Sequence, residues 1–488
     1  VNGGPWLLTP VLSGVQLLNL TSLASSMGML NNGVEEVVLS NMFNGTLLSL
    51  PIDVYRGDLL YINVQLLREY NLPIPTTVEQ LINDTQELAN YGLTCIWVIP
   101  GGDNGQDQVN LWQALFLGLA SERYGPAAAA RLMNEFIYGT LNLRNSTIAQ
   151  LINETNQYYL TITQYDCSGW QFMNWAEASS LLLQGAAAFQ VGDSRLIGYF
   201  LQQGTVVYPA MASYINNASV NIVAEPFPGT EHIYVIDVDS AAVPTKGNSM
   251  INFSGRFVKF WASYIGELAW VNASGGCMTW RNSSIYPTPL QAMNCIQLLN
   301  EPSYGFTISL SNGGLFTKPY SYLAEGLLNL QNYGAGYLMN FTRVLVLVEQ
   351  ATYWGWVNAS RVGLGYLGYF KHPFAQYLPP WVNPATYSIQ GYTPWWVSNE
   401  TKTTTTITST SASSTTSPVA VTTTYVTTAV STATSIITST VTKALTTTVT
   451  STVTIVRQST LALTWGLVAV IAVVVIILIL ILLHNRAT

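Results

Sequence analysis

From Leu461 to Leu483 the chain reads LALTWGLVAVIAVVVIILILILL, 23 residues without a charge. At a helical rise of about 1.5 Å per residue such a run crosses a hydrocarbon core of roughly 30 Å. The sequence therefore predicts one membrane helix over 461–483, and everything else must lie on one side or the other. Beyond it the tail HNRAT, residues 484–488, places Arg486 where a cytoplasmic end carries its positive charge, although Arg457 on the opposite flank weakens that vote. The preceding segment decides more firmly. Residues 398–460 are almost entirely Thr, Ser, Val, Ala and Ile, a composition that cannot bury a core and that typifies an O-glycosylated stalk outside the cell. Extended near the polyproline rise of about 3.1 Å per residue, that stalk reaches on the order of 150 Å or more. The expected protein is thus a single-pass cell-membrane protein whose residues 1–397 stand outside.

The large region agrees with an exterior setting. Twelve Asn-x-Ser/Thr acceptors recur along it, at Asn19, Asn44, Asn83, Asn145, Asn153, Asn217, Asn252, Asn272, Asn282, Asn340, Asn358 and Asn399, the pattern of a secreted glycoprotein. Cys95, Cys167, Cys277 and Cys295 permit three disulfide pairings, and an oxidising exterior allows them. The pair closest in sequence, Cys277 with Cys295, is favoured over four buried thiols. No CxxC spacing suggests zinc, so no metal site and no cofactor is expected. Charged residues are only 9% of the chain against 49% apolar, which suits either an acidic exterior or heavy glycosylation. With a net charge of −7 and no Lys/Arg block in the first 400 residues, nucleic-acid binding is excluded. Val1 is not an initiator, and no basic flank with a short apolar run precedes the domain, so the chain reads as a processed product or a fragment.

Helical apolar spacing appears at Thr77–Tyr91, with Thr77 as cap and Glu79 in the first turn, and at Val109–Tyr124, Pro126–Tyr138 and Trp175–Gln184. Strand-like runs appear at Thr94–Ile99, Ala187–Val191, His232–Val238 and Ala241–Val243. Helices alternating with short apolar strands predict an α/β architecture.

Several stretches, in order, carry a family resemblance. FNGTLLSLPIDVYRGDLLYINVQLLREYNLPIPTTVEQLI resembles a G-x-x-x-x-L-P hairpin leading to a cleft strand, then L-x-Y-N, a helix and G-L/P-x-P-x-T-W-x-E. NLWQALFLGLASERYG resembles a W-x-x-x-x-L-F helix, and LLQGAAAFQVGDSRLIGYF resembles G-x-A-A-F-x-x-x-G-D-W-x-x-G-x-F. PFPGTEHIYVIDVDSAAVP resembles P-x-P-G-T followed by D-x-F-A-x-P, and GGCMTWRNSS resembles a Gly-Ser-Pro loop ending in Arg and Asp/Asn. VNGGPWLLTPVLSGVQLLNLTSLA resembles the portion before the hairpin. These are motifs of the family 1 extracellular solute-binding proteins of ABC sugar importers, covering residues 1–312 and more loosely to 396. The chain is most similar to the glucose-type subgroup, and a stalk with one membrane helix resembles archaeal members. The resemblance implies a two-lobed α/β fold of the type II periplasmic-binding-protein kind, closing around a sugar and delivering it to permease subunits. It also implies a further N-terminal strand–helix–strand unit with cleft aromatics, which would precede Val1, so the fragment reading is favoured.

A pyranose offers apolar C–H faces and a ring of hydroxyls, so its site needs flat aromatic rings beside carboxylates, guanidinium and amides. LPIDVYRGDLLYIN supplies these types together. Alternation along an extended strand sets Asp53, Tyr55 and Gly57 on one side and Val54, Arg56 and Asp58 on the other. Asp53, Tyr55 and Arg56 are the expected ligand contacts, the alternative being a simple Arg56–Asp58 pair. Asp193 and Arg195 form a second cluster. The family pattern has Trp after the Asp where Ser194 stands, and Asp193 has helix capping as its alternative. Trp280 and Arg281 form a third, with Asn282 heading a glycan acceptor. Trp6 and Trp112 are expected stacking platforms, with core packing as the alternative for each and the better one for Trp112.

Two other classes explain part of the sequence. A stalked surface-layer or adhesion glycoprotein accounts for stalk, acceptors and anchor but not for the ordered cleft motifs. A glycoside hydrolase needs two carboxylates flanking the scissile bond. Asp53 with Asp193 is a conceivable pair, yet no motif points to it. With only His232, His372 and His484, a metal-hydrolase site or a Ser/His/Asp triad is hard to build. The expected protein is a receptor rather than an enzyme.

Overall fold

The computed structural model describes residues 3–43, 45–247, 249–281, 286–299, 305–361 and 394–396. The expected stalk, membrane helix and tail lie outside the described residues. Among those described, no helix is long and apolar enough to cross a membrane.

A short hairpin, β1 (Met42–Phe43) with β2 (Thr46–Leu47), leads into the strand that organises the fold. β3 (Leu50–Arg56) and β4 (Leu59–Asn63) are buried along their whole length, as the runs LPIDVYR and LLYIN require of strands covered on both faces. Only Gly57 and Asp58 separate them, yet they belong to different sheets. β3 pairs antiparallel with β8 (Ile233–Ala241), which pairs in parallel with β9 (Gly305–Ile308). β4 lies between β5 (Phe189–Gly192) and β7 (Ile222–Pro226), antiparallel to both, and β6 (Tyr208–Pro209) adds in parallel to β7. The chain thus crosses from one sheet to the other at Gly57–Asp58 and returns at residues 227–232. These crossings run side by side, with the Phe227 amide donating to the Asp58 carbonyl at 2.7 Å and Gly57 N to Val235 O at 2.9 Å.

Each sheet has its own packing. Leu20, Val258, Val271 and Trp280 cover one face of the β3 sheet, and Ala178, Leu182, Leu196 and Phe200 cover one face of the β4 sheet. A third, larger core gathers Trp97, Trp112, Phe116 and Phe136 with residues of both sheets. Helix Gln106–Tyr124 is buried over most of its circumference, and Gly118 lets it touch the return crossing, because a Cβ there would meet the Pro228 carbonyl at 2.4 Å. The four expected helices are present as Val78–Asn90, Gln106–Tyr124, Pro126–Tyr138 and Trp175–Leu183, and Thr77 caps the first by accepting the Gln80 amide at 3.1 Å.

Two expected strands differ from the structure. Residues 94–99 form no strand; Trp97 makes only isolated bridges, to Asp166 and Phe189. Residues 241–243 are not a strand of their own, since β8 ends at Ala241. Trp112 is core, fully buried and donating its indole N–H to Asn156 at 2.9 Å. All four cysteines are paired, Cys277 with Cys295 and Cys95 with Cys167. The first is the favoured pair, and the second is the one that remains once it forms.

Candidate functional site

The site forms where β5 ends beside β3 and β8. In β3, alternation sends Asp53 and Tyr55 to one face, and antiparallel register sets Asp239 opposite Asp53 and Asp237 opposite Tyr55. A register shift between Pro51 and Asp53 fits a proline, which has no N–H for the ladder. From the other sheet, β5 delivers Gly192-Asp193-Ser194, and Arg195 opens the next helix, Arg195–Gln202.

Arg195 bridges the two sheets. Its Nη1 donates to Asp193 Oδ2 at 2.6 Å and to Asp237 Oδ2 at 2.8 Å, and its Nη2 lies 3.4 Å from Asp239 Oδ1. The guanidinium also lies over the Tyr55 ring, 4.1 Å from the centroid, a cation–π arrangement. Burial opposes its charge, but Asp193, Asp237 and Asp239 outweigh that and hold its pKa well above the ordinary arginine value. Asp193 serves two roles, because its Oδ1 also accepts the Arg195 amide, the first N–H of the helix, at 2.8 Å.

One arginine does not neutralise the cluster. Asp237 is fully buried and takes Asn312 Nδ2 at 2.7 Å as well as Arg195; burial pushes its pKa well up despite the arginine. Asp53, also fully buried, accepts the Tyr55 hydroxyl at 2.5 Å and the Trp270 indole N–H on the same oxygen. Burial and then Asp239 raise its pKa from 3.8 to about 7. Across the hollow, Asp107 in the first turn of helix Gln106–Tyr124 is pushed well above 3.8 by burial and then by Asp193 and Asp103.

Together these groups wall a cavity of about 360 Å³, lined by Asp103, Asp107, Asp193, Asp239, Arg195 and Asn312, with the half-exposed Trp175 as its aromatic side. Among the described residues, no group of three His, Cys, Asp or Glu side chains is placed to hold a metal ion.

The structure brings Asp193 and Arg195 into the cavity wall and sets Asp53 and Tyr55 directly behind it, where Tyr55 supports Arg195 instead of offering a free face. Arg56 requires correction. It is on the opposite side of β3, fully buried, with Nε on Asp58 at 2.9 Å, Nη1 on Gln297 at 2.5 Å and Nη2 on the Ile233 and Thr230 carbonyls at 2.8 and 3.2 Å. Every guanidinium nitrogen is engaged, so Arg56 fastens the crossing and does not face the cavity. Trp280 and Arg281 are also displaced from the cavity. Trp280 packs in the core with its N–H on Ala262 O at 3.3 Å, and Arg281 donates to Gly33 O at 3.1 Å. Trp6, in helix Pro5–Leu12, is half-buried edge to face against Tyr320, 5.2 Å between centroids, outside the cavity wall. Sequence reasoning missed Asp103, Asp107, Trp175, Asp237, Asp239 and Asn312. The i, i+2 spacing of Asp237 and Asp239 on one strand face was the available signal for that pair.

No family model matches the chain. It is 40% identical over 405 residues to the glucose-binding protein GlcS of Saccharolobus solfataricus, covering 83% of this chain and 70% of that protein. An uncharacterized ABC transporter extracellular-binding protein of Pyrococcus horikoshii is 21% identical over 229 residues, 46% of this chain and 45% of that one. Among solved structures, a chitin oligosaccharide binding protein superposes with a TM-score of 0.54 at 16% identity, over 72% of this chain and 82% of that one. The solute-binding protein RafE in complex with raffinose gives 0.52 at 12%, over 70% and 83%. At those identities the solved structures establish the two-lobed mixed α/β fold. The first relative establishes more, because its identity is sustained over most of both chains: this chain belongs to the family of extracellular sugar-binding proteins of ABC transporters.

Proposed function

We propose that this chain is the surface receptor of an ABC sugar importer, taking a pyranose ring in the acidic cavity between its two sheets and passing it to permease subunits. The observation that carries this reading is the composition of the cavity wall. Carboxylates and a fixed guanidinium supply charge-assisted hydrogen bonds to hydroxyls, and Trp175 supplies a face for the C–H side of the ring. Arg195, Asp193, Asp239, Asp103, Asp107, Asn312 and Trp175 are the proposed contacts. Asp53 and Tyr55 hold Arg195 in place.

Because the wall is contributed by both sheets, a ligand that touches both favours the arrangement in which they are close, and that closed form would dock on the permease. No chemistry on the sugar is required. The pairing needed for glycoside hydrolysis fits poorly, since Asp53 is buried behind Tyr55 and Asp193 is tied to Arg195. The membrane helix at 461–483 and the stalk at 398–460 would keep the receptor near its permease and raise its effective concentration. An exterior, glycosylated location is supported by the acceptors: Asn19, Asn83, Asn145, Asn153, Asn217, Asn252, Asn272, Asn340 and Asn358 are all solvent-exposed.

The test is calorimetry of the full chain against neutral sugars, with small-angle scattering on the same samples. Micromolar or tighter binding, an unaltered sugar afterwards and a smaller radius of gyration are expected. A folded chain that binds no sugar, or whose radius is unchanged by a bound one, overturns the reading.

A further inference from the structure

Beyond Asp239 lies a second hollow, of about 510 Å³, to which the single-ring reading gives no role. Its floor is Ile52 of β3, the end of β8 at Ser240 and Ala241, and residues 242–244 after it. Its wall is helix Ile251–Trp261 together with Trp270 of the next helix, Tyr264–Ser274. Asp239 lines both hollows, so the two adjoin at one partly exposed carboxylate.

The wall is a row of rings. Phe257 and Trp261 meet edge to face at 5.5 Å, and Trp261 and Trp270 at 5.7 Å. The outer members are open to solvent: Phe253 is 63% exposed, Phe257 51% and Trp270 42%. A lone exposed ring needs no explanation, but a contiguous aromatic wall around a hollow does. Trp270 is also fixed by the first site, because its N–H donates to Asp53, the carboxylate that receives the Tyr55 hydroxyl under Arg195. The orientation of this ring is therefore coupled to the acidic cavity. Ser240, Ser254 and Asp239 are the polar groups among its lining residues. Aromatic faces next to a hydroxyl and a carboxylate are what a pyranose ring stacks on and bonds to. Each hollow alone is within the roughly 300–1,000 Å³ that small ligands fill.

We infer that the ligand is a sugar chain of two or more rings, with one ring in the acidic cavity, the next against the Phe257–Trp261–Trp270 wall, and Asp239 bonded at the junction between them. This rests on the sugar reading of the first cavity and extends it from a monosaccharide to an oligosaccharide.

The experiment is calorimetry on the full chain with each of a set of neutral monosaccharides and with the di- and trisaccharides built from them in different linkages, repeated on Phe257→Ala and Phe253→Ala. Both positions are exposed, so neither substitution empties the core. At least one disaccharide is expected to bind about tenfold or more tighter than its own monosaccharide unit. Phe257→Ala should collapse that ratio towards one, whereas a merely structural loss would weaken both ligands together. The inference is overturned if a monosaccharide binds as tightly as every longer sugar containing it, or if the ratio survives in both variants; the single-ring receptor then still stands. If no sugar of any length binds, the receptor reading itself falls, and this inference with it.

Discussion

The two faces of β3 do opposite things with the same kinds of residue. On one face Arg56 and Asp58 form an ion pair that is closed on itself: Thr230 Oγ1 donates to Asp58 at 2.5 Å, and Gln297 and two carbonyls take the remaining guanidinium nitrogens. On the other face Asp53, Asp237 and Asp239 share Arg195 with Asp193. There Asp53 Oδ1 and Asp237 Oδ1 lack a partner among the described residues. The closed face is a fastening, while the open face keeps hydrogen-bonding capacity and electrostatic tension in reserve. A buried ion pair beside a strand thus says nothing about function until its unsatisfied atoms are counted.

The largest break in this contrast comes from the closed face. Arg56→Ala leaves Asp58 buried without its counter-ion and should cost about 3–5 kcal/mol, read as a large fall in urea midpoint with sugar affinity per folded molecule little changed. If stability is hardly altered, Arg56 is not the fastening described. The next effect is that of pH on the open face. The pKa of Asp53 is raised from 3.8 to about 7, so the stability it contributes is fully present below about pH 4 and is lost as pH rises to about 7. A shift of that size is at most on the order of 4 kcal/mol. Thermal midpoints should therefore be higher at pH 4–5 than at pH 8, and Asp53→Asn should flatten that slope; an unchanged slope would separate Asp53 from the effect. Third, Arg195→Ala should weaken sugar binding by about 2 kcal/mol through loss of a charged donor. Its effect on stability should be smaller than that of Arg56→Ala, because its side chain is 30% exposed to solvent. The smallest effect is remote from both faces: Asn145 caps helix Ser146–Thr163 through the Thr147 and Ile148 amides, so Asn145→Ala should cost about 1 kcal/mol and leave binding untouched.

What could be read in advance follows the range of the interactions. Helix Val78–Asn90 was legible because Thr77, Glu79 and its apolar spacing lie within one short window, and Pro126–Tyr138 because Pro begins it and Gly139 ends it. The alternation of Asp53 and Tyr55 against Arg56 and Asp58 was legible too. Which face looks into the cavity was not, since that depends on β8, whose residues pair with β3 from 180 or more positions away. Asp237 and Asp239 passed unnoticed for the same reason. Trp175 was seen only as a helix start, and Trp280 was misplaced because the role implied for its loop by resemblance gave way to local packing against Ala262 and Val258. The second disulfide joins cysteines 72 residues apart, a separation that no local pattern reports.

The side-by-side crossings at Gly57–Asp58 and residues 227–232 carry a mechanical consequence. Two short connections tied to one another by the Phe227–Asp58 hydrogen bond mark the line along which the sheets meet, while Arg195 and the Asn134 bond to the Phe306 carbonyl restrain rotation about it. A contact made further from that line exerts a larger moment for the same force. On the receptor reading, the reach of the bound molecule, and not only its affinity, therefore bears on how firmly the two sheets are drawn together.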